Sequence, residues 1–326
     1  MLIPSIWVRP RGNNQEAGCF MSDLTIFLYH GVSDAESPGI ENFSGKHIHI
    51  DTFRDQISTA KRIGIPLSME EVRYHVCERR PFPPRAFAVT FDDGFENNHA
   101  VAAPVLDDFD VPAMFYFSTG FVESDRMFWV DEIEDCINRS EINEIDLSSA
   151  DSRLPNSFPL QSDDDRIHAT IKIKGVCKEA IAADKERILA ALKLETAVTP
   201  SVDAAANYRK ISWAQTQELD SHPLFEIGGH SHDHNILSRL SVEGMHKDVD
   251  RCMSLLEKNL GRTITHFSYP EGRHTDYNEQ VISHLKHWGI VCCPSAEDGR
   301  NDEQSDLFHL RRTMVGFMGT AFPWTV

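Results

Sequence analysis

The chain reads AVTFDDGF over residues 88–95, and this stretch decides the fold. A run of strand-forming residues ends in two adjacent carboxylates, Asp92 and Asp93, and the glycine that follows permits a sharp turn. A second apolar run, LFEIGG over residues 224–229, leads directly into the cluster HSHDH over residues 230–234. Carboxylates and histidines that follow two buried strands indicate metal-dependent hydrolysis at the strand ends.

The residue types suit that chemistry. A divalent metal polarises an amide or ester carbonyl and lowers the pKa of bound water toward about 7. Two histidines and one carboxylate can hold such an ion with positions left open, and a second carboxylate can act as the general base. The spacing does not choose among the histidines. His230 and His234 share a face of a helix, whereas in an extended strand His232 points the same way as both.

Three segments occur in a characteristic order, namely TFDDG over residues 90–94, HSHDH over residues 230–234 and FSYPEG over residues 267–272. In this order they resemble the motifs of the polysaccharide deacetylases of the NodB-homology type, carbohydrate esterase family 4. The resemblance runs from about Ile26 to Val315, apart from a middle insertion. Three motifs in order are a far stronger signal than any one of them alone.

The resemblance implies a role for each motif residue. The first motif implies that Asp92 is the catalytic base and Asp93 a metal ligand. The second implies that His230 and His234 are the other ligands and that His232 is a neighbour. The third implies that Tyr269 and Pro270 form a wall of the substrate pocket and that the N–H of Glu271 donates to the oxyanion.

Two departures from the family pattern leave roles open. Many members carry an arginine in the third motif that orients the base, but residues 266–269 read HFSY, so that partner is absent or comes from elsewhere. The late Leu-x-His motif is replaced by LFHLRR over residues 307–312, which resembles a branch ending in Leu-x-Arg. His309 is therefore one candidate for the general acid and His30 another. The latter lies in FLYHGV, residues 27–32, which resembles the family's opening strand.

The pattern of strands and helices predicts an α/β fold. Short buried strands are predicted at residues 87–91, 113–118, 225–228, 266–269 and 290–293, and helices at residues 52–63, 178–194 and 242–260. Parallel crossovers of this kind form a barrel whose chemistry lies at the C-terminal ends of the strands. The family resemblance adds that the barrel is distorted and of the (β/α)7 type.

The segment from residue 123 to residue 207 departs from a compact barrel. It is acidic and helix-like, so we expect a largely helical insertion on the rim. It either caps the substrate or is an inert surface elaboration. Trp129 within it is a candidate for stacking on a sugar.

Composition bounds the function and the location. A net charge of −18 over 326 residues counts against nucleic acid as a partner. No apolar run approaches the roughly 20 residues of a membrane span. Seven cysteines without a Cys-x-x-Cys spacing favour a reducing compartment. Residues 1–21 lack the features of a secretory signal, so we expect a loose extension, a deacetylase domain over residues 22–326, and a cytoplasmic protein.

Together these observations predict a metal-dependent deacetylase that removes the N-acetyl group of an N-acetylated sugar or glycan and releases acetate. Zn²⁺ is the expected ion, with Co²⁺ or Ni²⁺ as alternatives. O-deacetylation would use the same machinery. The competing hypotheses are a glycan-binding protein that has lost activity and a hydrolase of another C–N bond, such as a formamide or a ureide.

Overall fold

The computed structural model describes residues 23–324, so the extension predicted over residues 1–21 lies outside the described residues. The strands are β1 (Leu24–Tyr29), β2 (Gly31–Ser33), β3 (His47–His49), β4 (Ile65–Pro66), β5 (Ala86–Phe91), β6 (Ala113–Phe117), β7 (Glu144–Ile145), β8 (Phe158–Pro159), β9 (Phe225–Gly229) and β10 (Thr313–Met314). The helices are α1 (Ile50–Ile63), α2 (Met69–Cys77), α3 (Ala103–Asp108), α4 (Trp129–Arg139), α5 (Asp163–Glu179), α6 (Ala182–Thr196), α7 (Trp213–Ser221), α8 (Val242–Leu260) and α9 (Glu279–His287).

The main sheet is parallel, with the order β10-β1-β5-β6-β9 and with β4 beside β5. Shorter contacts continue it beyond β9. They are the parallel bridges Gly229–Phe267 and His266–Cys292 and the hydrogen bonds, 2.8 Å each, from the N–H of Cys293 to Leu307 and from the N–H of Ser295 to Leu310. The chain then enters β10, which pairs with β1, so a distorted (β/α)7 barrel closes as predicted. The strands expected at residues 266–269 and 290–293 are present only as these bridges.

Alternation along the strands separates two layers of core. In β5 the side chains of Ala86 and Ala88 pack inside the barrel, while Phe87, Val89 and Phe91 pack against the outer helices. Asp92 continues the inward set because successive side chains of a strand point to opposite faces. The register of β5 thus turns Asp92 toward the barrel interior.

The predicted helices agree with the structure in two of three places. Residues 52–63 lie within α1, and residues 242–260 form α8, which ends at Gly261 with φ 68°. The single helix predicted over residues 178–194 is wrong. α5 ends at Glu179 and α6 begins at Ala182, because Ala180 and Ile181 are extended, with ψ 148° and 160°.

The region predicted as a helical insertion contains α4, α5 and α6 and the short antiparallel pair β7–β8. Its apolar residues form a core of their own, centred on Ile133, Ile137 and Ile173. No helix within residues 23–324 is both long enough and apolar enough to cross a membrane.

Candidate metal centre and active site

Three side chains from two strand ends converge on one point. Asp93 follows β5, and His230 and His234 lie in the loop after β9. Oδ1 of Asp93 lies 3.6 Å from Nε2 of His230 and 3.2 Å from Nε2 of His234. Two ligand atoms bound to a tetrahedral Zn²⁺ at about 2.1 Å are roughly 3.4 Å apart. The three donors therefore fit a divalent cation, and no other group of three His, Cys, Asp or Glu within residues 23–324 has comparable spacing.

Left-handed backbone conformations direct these ligands toward one another. Asp93 has φ 82° and is followed by Gly94 with φ 91°, while Ser231 has φ 64° and His234 φ 54°. Such a conformation costs a non-glycine residue about 1–3 kcal/mol and persists only where the surrounding structure imposes it. Two of the three proposed ligands, Asp93 and His234, thus have this strained conformation.

Hydrogen bonds fix the histidine loop. Nδ1 of His230 donates to the carbonyl oxygen of Ser268 at 2.9 Å, which leaves Nε2 as the free donor for a metal. The buried carboxylate of Asp248 in α8 accepts the backbone N–H groups of residues 232 and 233, at 2.6 and 3.2 Å. α8 thus anchors the backbone between the two histidine ligands.

The electrostatics of the three ligands favour a cation between them. Burial lowers the pKa of His230 to about 4, so its ring is neutral. Burial alone would raise the pKa of Asp93, but the hydrogen bond and charge of His234 outweigh it and hold that pKa well below its usual value. Asp93 in turn raises the pKa of His234 despite burial. The carboxylate therefore attracts positive charge to the point where an ion would sit.

Asp92 lies beside this group and is held by Arg312. The guanidinium donates to Oδ1 and Oδ2 of Asp92 at 2.8 and 2.7 Å. Its remaining N–H groups donate to the carbonyl oxygen of Ser295 and to the hydroxyls of Thr90 and Ser268, so all five donors are satisfied. Burial would raise the pKa of Asp92, but Arg312 and His230 outweigh burial and lower it. Asp92 is thus kept ionised, as a base must be.

Arg312 is the functional residue that sequence reasoning missed. The third motif lacks its arginine, and this side chain enters from the segment before β10 instead. It is fully buried, with 0% of its surface exposed. The signal for it was present in LFHLRR, since its last residue completes a Leu-x-Arg.

The two candidates for the general acid lie in different surroundings. His30 directly follows β1, and the N–H of Asp92 donates to the carbonyl of Tyr29 at 3.0 Å, so His30 lies beside the base. Burial lowers the pKa of His30, against the charges of Asp93 and Asp92. His309 is exposed, and its Nδ1 lies 3.0 Å from the hydroxyl of Tyr277. The structure brings His30 to the metal centre and leaves His309 on the surface.

The third motif forms a turn beside the ligands. Glu271 has φ 60°, and within the described residues its N–H donates to no backbone acceptor. The Tyr269 side chain is only 1% exposed and donates its hydroxyl proton to the carbonyl oxygen of Phe308. It is therefore buried beneath the predicted pocket wall and does not face the pocket. Pro270 is also buried. The N–H of Glu271 is therefore available to a substrate oxygen.

Two other predicted neighbours lie at the edge of the site. The ring of His232 contacts the hydroxyl of Thr119 at 3.0 Å and is not part of the ligand group. Trp129 packs against the core of the insertion, where Lys185 lies 5.4 Å from its ring centroid. The structure therefore does not bring Trp129 into the ligand group.

Buried charges link the insertion to the barrel next to the centre. Asp131 of α4 pairs with Lys46 and lies 3.6 Å from Nζ of Lys210. Nζ of Lys210 also lies 4.0 Å from the ring centroid of Phe95 and 4.2 Å from that of Phe128. Burial lowers the pKa of Lys210 to about 7. The insertion is thus held against the barrel by a buried ion pair and by aromatic contacts.

Comparisons with known proteins identify the family and the fold of the chain. The family model described as polysaccharide deacetylase matches residues 79–149 and 179–292, more than half of the chain. A search of curated proteins finds no match to this chain. Similar solved structures include the Streptococcus pyogenes deacetylase PplD in complex with acetate, which is 16% identical with a TM-score of 0.59 and covers 92% of this chain and 95% of its own.

IcaB from Ammonifex degensii is 17% identical with a TM-score of 0.59, covering 90% of this chain and 91% of its own. A de-N-acetylase from Aggregatibacter actinomycetemcomitans is 12% identical with a TM-score of 0.55, covering 93% of this chain and 97% of its own. At these identities the structural similarity establishes the fold, and the family assignment rests on the family model. The chain belongs to the polysaccharide deacetylase family, whose members are metal-dependent hydrolases of the N-acetyl groups of carbohydrates.

Proposed function

We propose that this deacetylase works through a metal centre of Asp93, His230 and His234, with Asp92 as its general base. The observation that carries the proposal is the pairing of a complete ligand group with a second, separately held carboxylate. A carboxylate that acts as the general base must not be bound to the metal. Arg312 gives Asp92 a partner other than the metal. Zn²⁺ is the proposed ion because two imidazoles and one carboxylate are a common catalytic zinc set.

Each residue has one task in the proposed reaction. The ion, when bound, supplies the positive charge that polarises the acetyl carbonyl and acidifies water. Asp92 accepts the proton of the attacking water, and the N–H of Glu271 donates to the carbonyl oxygen as negative charge develops there. His30 donates a proton to the departing amine. The products are acetate and a free amino sugar.

The proposed substrate is an N-acetylated sugar or glycan. Amide rather than ester cleavage is supported by the family assignment and by the de-N-acetylase among the similar structures. The grounds for a non-catalytic, glycan-binding relative were the missing arginine of the third motif and the missing Leu-x-His. Arg312 removes the first ground, because it forms the expected hydrogen bonds with the base from another part of the chain.

The test combines metal content with product release. The protein is purified, its metal content is measured, and the ion is removed with a chelator and replaced by Zn²⁺, Co²⁺ or Ni²⁺. Acetate release is followed from N-acetylglucosamine oligomers and from O-acetylated sugars, and formate release from N-formylated sugars in parallel. We expect acetate from the N-acetylated sugars only in the reloaded samples.

The control is Asp92→Asn, which should keep the metal and lose roughly 10²–10⁴ of the turnover. Metal binding without release from any of these sugars would point to a different substrate. A metal-free protein with full activity would contradict the proposed centre.

A further inference from the structure

The two proposed histidine ligands are held in different ways. His230 is fixed from behind, since its Nδ1 donates to the carbonyl oxygen of Ser268 at 2.9 Å. A ligand histidine almost always has such a partner, which sets the direction of its metal-binding nitrogen. Within residues 23–324 we find no hydrogen-bond partner for Nδ1 of His234. The ring of His234 therefore has its polar contact with Asp93 on the Nε2 side and lacks a hydrogen-bonded support on the Nδ1 side.

An aromatic side chain from the insertion region contacts the ring of His234. The ring of Phe128 lies edge-on to the imidazole, with centroids 5.1 Å apart and planes inclined by 69°. This edge-to-face arrangement is one that aromatic pairs prefer, and it stabilises the pair beyond the area buried. Phe128 is 2% exposed, so the contact with His234 is buried from solvent on its side.

Phe128 is itself firmly held. Its ring stacks on that of Phe121, with centroids 4.0 Å apart, and Nζ of Lys210 lies 4.2 Å above it. Its carbonyl oxygen accepts the N–H groups of Asp131 and Glu132 at 2.8 and 2.9 Å, so it forms the start of α4. A rigid helix end therefore delivers this ring to the metal centre.

We propose that Phe128 is a positioning residue of the metal centre, which holds the imidazole of His234 in the orientation that binds the ion. The first helix of the insertion thereby becomes part of the active site. This inference rests on the proposed role of His234 as a ligand. In this proposal Phe128 acts on the metal centre through its contact with His234.

The test measures metal binding rather than turnover. Phe128→Leu keeps an apolar side chain and removes the ring, and Phe128→Met is the second variant should the first not fold. Zn²⁺ affinity is measured by competition with a chelator, and the absorption spectrum of the Co²⁺ form reports ligand geometry. We expect the dissociation constant for Zn²⁺ to rise roughly tenfold and the Co²⁺ spectrum to change, since supports of a metal ligand typically contribute factors of 10–100.

The matched control is Phe158→Leu, the same change at a buried site in the insertion's own core. It should lower the melting temperature and leave affinity and spectrum at wild-type values. Wild-type affinity and spectrum in folded Phe128 variants, or equal shifts in Phe158→Leu, would overturn the inference. His234→Ala separates the assignment of His234 as a ligand from the positioning role of Phe128. If that variant binds metal as tightly as wild type, the ligand assignment fails, and not merely the role of Phe128.

Discussion

The guanidinium of Arg312 forms two hydrogen bonds with the carboxylate of Asp92, although 220 residues separate them in the chain. Both side chains are buried, and the arginine has no donor left over. A bidentate arginine–carboxylate pair of this kind fixes the orientation of the carboxylate and stabilises its charged form. The base is thereby held apart from the metal ligands.

Replacing Arg312 should therefore impair the base and spare the metal. We expect Arg312→Met to lower kcat by about 100-fold or more while the bound metal stays stoichiometric, because Asp92 loses its orientation. Removing one partner of a buried pair also destabilises a protein by about 3–5 kcal/mol, so the melting temperature should fall. Steady-state kinetics, metal analysis and thermal unfolding check the three parts.

The neighbouring Arg311 offers a matched control, since it is exposed and donates to the carbonyl oxygen of Asp298. Arg311→Met should leave kcat within about twofold. A metal-free Arg312→Met would instead assign this arginine to the integrity of the whole centre.

The histidine loop permits a test of the ligand assignment. His230→Ala and His234→Ala should each strip the ion, because two ligands of three cannot hold it against a chelator. His232→Ala should retain it, since that ring contacts Thr119 instead. Metal content after dialysis distinguishes the three variants. Equal loss in all of them would mean that the ligands were assigned to the wrong histidines.

The position of Asp92 and Asp93 at a strand end could be predicted from sequence, because the apolar strand pattern stops there and Gly94 permits a turn. Which acid acts as the base and which as the ligand came from the family resemblance. The structure adds the register of β5, whose inward residues Ala86 and Ala88 are followed in alternation by Asp92, and the left-handed conformation of Asp93, with φ 82°. Local pattern was thus sufficient for the position of the two acids and not for their roles.

The partner of Asp92 could not be read in this way. Arg312 meets it only because the last segment of the chain closes the barrel beside β1, and the local signal in LFHLRR does not show which residue this arginine contacts. The same reason separates His30 from His309, since only the register of β1 against β5 shows which histidine reaches the base. The helix break at residues 180–181 was missed because apolar spacing continues across it.

The pocket wall depends on a contact from the insertion. Nζ of Lys178 in α5 lies 2.8 Å from Oε2 of Glu271, whose N–H is the proposed oxyanion donor. Both side chains are partly exposed, and such pairs are worth up to about 1 kcal/mol. We therefore expect Lys178→Met to lower kcat by no more than about fivefold, with KM little changed. The difference should shrink in high salt.

Lys172 lies on the same helix and is exposed, so Lys172→Met is the control for this prediction. It should leave kcat unchanged at every salt concentration. A tenfold or larger effect of Lys178→Met would mean that this lysine contacts the substrate directly.

Glu226 of β9 should make stability depend on pH. Burial raises its pKa to about 7, against the hydrogen bond from the N–H of Met69. The folded state therefore binds a proton that the unfolded state has lost between about pH 4.5 and pH 7. The resulting stabilisation is complete below that window and is lost as pH rises through about 7. Glu226→Gln cannot ionise. The melting temperature of this variant, relative to that of wild type, should therefore rise between pH 4.5 and pH 8.

The exposed Glu186 supplies the comparison for this test. Glu186→Gln should show a constant difference from wild type across the same range. A Glu226→Gln curve parallel to wild type would show that the carboxyl group titrates normally in the folded state.

The identity of the general acid is the last prediction. His30 follows β1 beside Asp92 and faces the charges of both acids, whereas His309 is exposed and contributes to the pKa of neither. We expect His30→Gln to lower kcat by roughly 10²–10⁴, the range typical of a lost acid or base. His309→Gln should stay within about twofold of wild type.

The choice of substrate sharpens this experiment. An acid matters most when the leaving group is a poor one, so a substrate that releases a weakly basic amine should lose much less with His30→Gln than a natural amino sugar does. Metal content and the Co²⁺ spectrum of His30→Gln should match wild type, because His30 is not among the ligands. If His30→Gln slows both substrates equally, the proton comes from another group, such as Asp92 returning the one it accepted, and His30 serves only to shape the cleft.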